Sequence, residues 1–309
     1  MFCTDIHGSD TVFRKFLNAS KMYSVNAAII GGDITGKALA FISMKNGGYE
    51  SDTFGRKWFA KNDAELPSLV REFRKRGFYV HIDTPDSIED IKSSPARMEQ
   101  LLKDYILKSM KEWMQLAEER LKGTGIKCYI SPGNDDFYEI DEVLNSSDFV
   151  VNPELNVTLL GDRYEMITLG QVNITPWNCP RDVPEENLYH TITQLTSKLS
   201  NPKQTIFNLH APPHNTYLDI AMELDENLRP VMKAGQPSMT HVGSISVRKT
   251  IEEYQPLLGL HGHIHESKAF EKIGRTVCIN PGSTYQDGNL NAVIVDLDHE
   301  VKNYMFISG

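Results

Sequence analysis

Residues 1–33 read MFCTDIHGSDTVFRKFLNASKMYSVNAAIIGGD, and they decide the fold. Residues 1–5 read as a strand. Residues 10–24 place Val12, Phe13, Phe16, Leu17 and Met22 at helical spacing. Asn26 to Ile30 is a second short apolar run, ending at Gly31-Gly32-Asp33. Strand, helix, strand, with polar residues at both strand ends, is the βαβ pattern of a parallel-type sheet. Ligands in such sheets bind beyond the carboxyl ends of the strands. Asp5-Ile6-His7-Gly8 and Asp33 both stand there. Only Phe2, Cys3 and Thr4 lie between Met1 and Asp5, so either the first strand is clipped or residues precede Met1.

Working outward, three more stretches follow short apolar runs in the same way. They are Gly133-Asn134-Asp135-Asp136, Leu209-His210 and Gly262-His263-Ile264-His265. The five stretches supply Asp5, His7, Asp33, Asn134, His210, His263 and His265. Imidazole, carboxylate and amide oxygen together suit Mn, Fe, Zn, Co or Ni. Two such ions about 3.5–4 Å apart can clamp the attacking and leaving oxygens of an in-line displacement. The inventory therefore points to metal-assisted hydrolysis of a phosphate ester, with Asp33 the natural bridging carboxylate.

The rest of the chain is read around these stretches. Residues 36–125 look like an insertion, in which 38–43 and 49–59 flank a hairpin turn at Lys45-Asn46-Gly47-Gly48. Residues 63–76 read as a charged amphipathic helix, and Pro95 opens a long helix closed by Gly123. Strands are expected at 126–130, 205–209, 257–260, 276–279, 291–296 and 304–307, with several short ones in 148–175. Helices are expected at 185–199 and 242–254. Alternating α/β first and β-rich later implies two stacked sheets flanked by helices.

Composition narrows the function. Hydrophobic residues make up 40% and charged residues 24%, the balance of an ordinary globular protein. The net charge of −9 and the lack of a basic, aromatic-interleaved stripe argue against a nucleic-acid partner or an anionic membrane. No run approaches the roughly 18–20 apolar residues of a membrane span, and no secretory signal is visible. Cys3, Cys128, Cys179 and Cys278 show no C-x-x-C spacing, which reads as reduced thiols in a cytoplasm.

The ordered set D-x-H, G-G-D, G-N-(D/H)-D, H and G-H-x-H resembles the calcineurin-like metallophosphoesterases, over residues 5–265 apart from the insertion. The resemblance implies a four-layer α/β/β/α sandwich of two mixed sheets. It implies one metal held by Asp5, His7 and His265, and another by Asn134, His210 and His263, with Asp33 shared. Manganese is the favoured ion. Metal-bound hydroxide would attack phosphorus while His210 and Asn134 stabilise the phosphoryl oxygens. Many members carry histidine directly after the asparagine, where it can protonate the leaving group; here that position is Asp135. A carboxylate serves as general acid only if its pKa rises well above about 3.9. Asp135 would also repel a dianionic monoester more than a monoanionic diester.

Further candidates for substrate contact are Gly8, His214 and the helix start at Ser244 with Arg248 one turn on, where an ordinary N-cap with a surface arginine is the other reading. His261 is either an orienting residue behind a ligand or a structural histidine. His81, His190 and His299 have no motif context. The reading is a single cytoplasmic metallophosphoesterase domain spanning 1–309, a phosphodiesterase first. A phosphomonoesterase, meaning a phosphatase or nucleotidase, and a catalytically weak protein-binding scaffold are the rivals. The insertion offers a lid, a specificity cap or a homo-oligomer surface.

Overall fold

The structure, a computed structural model, describes residues 1–45, 47–161 and 163–309. Among the described residues there are seven α-helices: α1 Asp10–Met22, α2 Leu66–Lys75, α3 Pro85–Lys92, α4 Pro95–Leu121, α5 Ile140–Asn145, α6 Glu185–Thr196 and α7 Ile245–Tyr254. None is long and apolar enough to cross a membrane.

Two six-stranded sheets dominate this α/β fold. The first runs Val301–Ser308, Asn291–Leu297, Phe2–Cys3, Ala27–Gly31, Lys127–Ser131, Val150–Val151. Its last four strands are parallel, and the first two join antiparallel. The second runs Ala269–Ile273, Thr276–Asn280, Leu258–Leu260, Ile206–Leu209, Tyr164–Leu169, Val157–Leu160, parallel in the middle and antiparallel at both edges. Both sheets are thus mixed.

Strand periodicity explains how these sheets pack. Side chains alternate between faces. Phe2, Ile29 and Tyr129 of the first sheet cluster with Met166, Ile206, Leu258 and Ile279 of the second. Their neighbours Cys3, Ile30 and Ile130 turn the other way, onto α1 and α4. In the second sheet Ile167, Phe207 and Leu209 turn onto α6 and α7. Strands buried on both faces read as unbroken apolar runs, which is why residues 27–30 show no polar alternation. Phe13 of α1 stacks on Trp113 of α4 at 4.3 Å between ring centres, and the Trp113 indole N–H donates to Asp10 at 2.7 Å.

Residues 38–83 form a separate four-stranded sheet, ordered Trp58–Ala60, Gly48–Ser51, Ala38–Lys45, Phe78–Asp83. It has its own core of Ala40, Ile42, Leu69, Phe73 and Val80. The two strands flanking the expected Asn-Gly turn pair antiparallel, while Asn46 itself lies outside the described residues. The long helix behaves differently from the sheet before it. Ile106, Met110 and Trp113 of α4 belong to the core under the first sheet.

Candidate metal centre

The parallel strands of both sheets end on the same side, so their terminal loops converge. Backbone bonds stitch the first two loops together: Asp5 N–H donates to Gly32 O at 3.0 Å, and His7 N–H to Asp33 O at 3.0 Å. The Gly262 N–H donates to His210 O at 3.0 Å, and the His263 N–H reaches the Asp5 carboxylate at 3.1 Å. Asp5, His7, Asp33 and His263 all hold left-handed backbone, with φ of 55°, 38°, 49° and 66°. Such strain in residues other than glycine gathers where a site over-determines the backbone.

This convergence makes three groups whose donor atoms lie within 4.8 Å of one another: Asp5–His7–His265, Asp33–His210–His263 and His7–Asp33–Asp135. Asp33 belongs to two of them. The His7 and His265 Nε2 atoms face each other at 3.0 Å. The His210 ring is fixed by Nδ1 against Gly31 O at 2.9 Å. Its Nε2 lies 3.4 Å from Asp33 and 3.8 Å from Asp5. Buried donors converging this way would repel one another without a proton or a cation between them. Among the described residues, Asn134 Oδ1 is buried and accepts no hydrogen bond. The next residue, Asp135, donates its N–H to the Asp33 carboxylate at 3.1 Å, and an orphaned amide oxygen in that loop suits a divalent cation. These buried His and Asp groups can hold a metal ion.

The titration behaviour follows from the crowding. Burial pushes the Asp33 carboxyl up to about 7. Burial alone would lower His210, but the Asp33 and Asp5 carboxylates overcome it and raise the imidazole to about 10. Burial pushes His263 down to about 4, so that ring is neutral and ready to donate a lone pair.

Several residues hold the centre without being among its candidate ligands, Asp136 from within a motif and the others from outside any. The Asp136 carboxylate accepts from the backbone N–H of Ile34, Thr35 and Gly133, binding the Asp33 loop to the Asn134 loop. Arg181, almost fully buried, donates to Asp136 O, Phe137 O and the Asp141 carboxylate. Asp182 accepts from Asn134 Nδ2 at 2.9 Å, which leaves Oδ1 as the free end of the amide. Lys37 pairs with Asp135, and Cys179 Sγ donates to the same carboxylate at 2.8 Å.

Four expectations are corrected here. Burial pushes Asp135 up, but Lys37 and Cys179 outweigh it and hold the carboxyl well below the usual range. In the metal-free centre it is therefore ionised, the form that accepts a proton and does not donate one. The Gly8 N–H is bonded to Ile34 O at 2.9 Å, and a Cβ on Gly8 would strike Gly36. Gly8 serves close packing, with no amide left for a phosphate. The start of α7 already holds an anion, the Glu185 carboxylate, which accepts from Ser244 Oγ and from the N–H of Ile245 and Ser246. Arg248 is engaged by His214 O, Asn215 O and Glu252. Ser244 and Arg248 thus bind the protein's own groups.

Two histidines beside the motifs are placed by their partners. His214 is half-exposed, with Nδ1 3.6 Å from the buried Asp219, which also accepts from His241 Nδ1 at 2.7 Å. His261 is buried, with Nδ1 against Leu209 O and Ala211 O, bracing the His210 loop.

No family model matches the chain. It is similar to the uncharacterized protein MJ1162 of Methanocaldococcus jannaschii, 35% identical over 171 residues that make up 53% of this chain and 69% of that protein. The chain belongs to the family of MJ1162. Among solved structures, the crystal structure of TT1561 from Thermus thermophilus covers 100% of this chain, with 96% of its own chain matched, at a TM-score of 0.55 and 12% identity. A second crystal structure covers 91% of this chain, with 89% of its own chain matched, at a TM-score of 0.55 and 14% identity. At those identities the likeness speaks for the fold alone.

Proposed function

We propose that this chain is a calcineurin-like metallophosphoesterase that hydrolyses a phosphodiester. The observation that carries the reading is the pair of buried donor groups, Asp5–His7–His265 and Asp33–His210–His263, beside the orphaned Asn134 oxygen. Helices on the outer face of each of two packed sheets are what a four-layer α/β/β/α sandwich requires, and we read the fold as one. Of the expected 36–125 insertion, the sheet of residues 38–83 then reads as inserted into a single domain, while the long helix belongs to the main core.

In this reading Asp5, His7 and His265 would hold one divalent ion. Asn134, His210 and His263 would hold the other, and Asp33 would serve both. Bound divalent ions supply a water of lowered pKa and positive charge for the phosphoryl oxygens. The chain's own residues do the rest. Gly31 O orients the His210 ring, and Asp182 orients the Asn134 amide. Lys37 neutralises Asp135, so that side of the centre offers neither net attraction nor net repulsion. A singly charged diester suits such a wall better than a dianionic monoester, whose extra charge finds no extra cation. With Asp135 ionised, the departing oxygen takes its proton from solvent.

The test is hydrolysis of a chromogenic aryl phosphodiester and its monoester in parallel, after chelation and return of Mn. Mn-restored diester turnover above monoester turnover is the expected result. Monoester preference would replace this reading with a phosphomonoesterase. Bound Mn with no turnover of either ester would leave the protein-binding scaffold as the better account.

A further inference from the structure

A cavity of about 300 Å³ adjoins the metal centre, lined by His7, Lys37, Phe54, Arg76, Phe78 and Tyr285. His7 is the wall it shares with the centre. Tyr285 packs on His7 at 4.7 Å between ring centres and on His265 at 5.9 Å. On the opposite side, the Phe54 ring meets the edge of Phe78 at 4.7 Å, with the Arg76 guanidinium 5.3 Å from its centre. The volume is at the lower end of pockets that take small ligands, roughly 300–1000 Å³. It fits one ring system.

Phe54 gives a second observation. It has a φ of 64°, a left-handed conformation that a bulky side chain adopts only at a cost. The residue is nonetheless 47% exposed, with its ring packed on Trp58, Phe73 and Phe78. The turn comes from the inserted sheet, while Tyr285 comes from a loop of the main body. The two cations lining the cavity are already paired, Lys37 with Asp135 and Arg76 with Glu72. An uncharged group therefore fits better than an anionic one.

We infer that this cavity is the subsite for the organic group of the ester, and that it selects an aromatic ring, held between Phe54 and Tyr285. The inference rests on the phosphoester reading, since the phosphoryl group must sit on the centre for its substituent to pass His7. The inserted sheet thus acts as a specificity element.

The test is calorimetric binding of methyl(phenyl)phosphinate and dimethylphosphinate, singly charged like a diester, to the Mn-loaded protein, in wild type and Phe54→Ala. Neither ligand is hydrolysed, so turnover is not needed for the readout. Methyl(phenyl)phosphinate is expected to bind about ten-fold tighter, a margin in keeping with one buried ring. That preference should fall towards unity in Phe54→Ala. Equal affinities in wild type, or a preference that survives Phe54→Ala, would overturn the subsite alone. If Mn binds and neither phosphinate does, the phosphoester reading fails and the subsite falls with it.

Discussion

At the scale of single residues, the proposed ligands were legible and their supports were not. Asp5, His7, Asp33, Asn134, His210, His263 and His265 each lie at or just past the end of an apolar run, so local pattern exposes them. Asp182 and Arg181 act on loops more than forty residues away in sequence, at separations no spacing rule spans. Lys37 stands near Asp33 in the chain, yet its partner is Asp135. Asp33→Asn or His210→Ala should abolish Mn-dependent hydrolysis while far-ultraviolet circular dichroism and the melting profile stay close to wild type. Unchanged turnover in either variant would refute the ligand assignment. Asp182→Ala frees the Asn134 amide to rotate and should weaken Mn affinity about 10–100-fold, the usual effect of losing a group that orients a ligand. Equilibrium Mn titration reads this directly, and an unaltered affinity would remove Asp182 from the centre.

At the scale of elements, buried periodic segments were read well and exposed irregular ones poorly. Pro95–Leu121 is a helix over its whole expected length, because its apolar residues keep helical spacing and proline sets the first turn. The short exposed strands Ile220–Met222 and Met239–His241 gave no sign, since nothing buries one face and enforces alternation. The start of α7 was read as either an ordinary N-cap or an anion site, and it is both: Ser244 caps the helix through the Val247 N–H, and an anion sits on it. The anion is Glu185, supplied by α6 from sixty residues away. The stacking of Phe13 on Trp113 joins α1 to α4 and so fixes the helix that follows the first metal loop. Trp113→Ala should destabilise the fold by about 3–5 kcal/mol, the ordinary loss for a large buried aromatic side chain. Urea unfolding measures it, and a loss under about 1 kcal/mol would mean that α4 packs loosely.

At the scale of the whole molecule, stability should depend on pH and on metal. Glu154 is buried, accepts the Gly170 N–H, and is pushed by burial from 4.5 up to about 8. Between those values the folded protein keeps a proton that the unfolded chain has lost. Stability therefore falls as pH rises through that window, by up to about 1.4 kcal/mol per pH unit. Glu154→Gln should remove one proton's worth of that slope in the metal-free protein. Denaturation curves at several pH values will show it, and parallel slopes for the two proteins would contradict the assignment. Bound metal stabilises the native state by mass action, by about 2.7 kcal/mol when free metal is a hundred times its dissociation constant. Chelation should accordingly lower the melting temperature by several degrees, and a melting curve indifferent to chelator would count against a metal centre.

The two donor groups have a consequence for how the protein is made. Each draws on both sheets: Asp5 and His7 come from the first with His265 from the second, and Asp33 from the first with His210 and His263 from the second. During synthesis, neither group is complete until the second sheet's histidines, His265 last of all, have emerged. These two groups therefore come into being only as the sheets dock, whereas the His7–Asp33–Asp135 group can assemble from the first sheet alone.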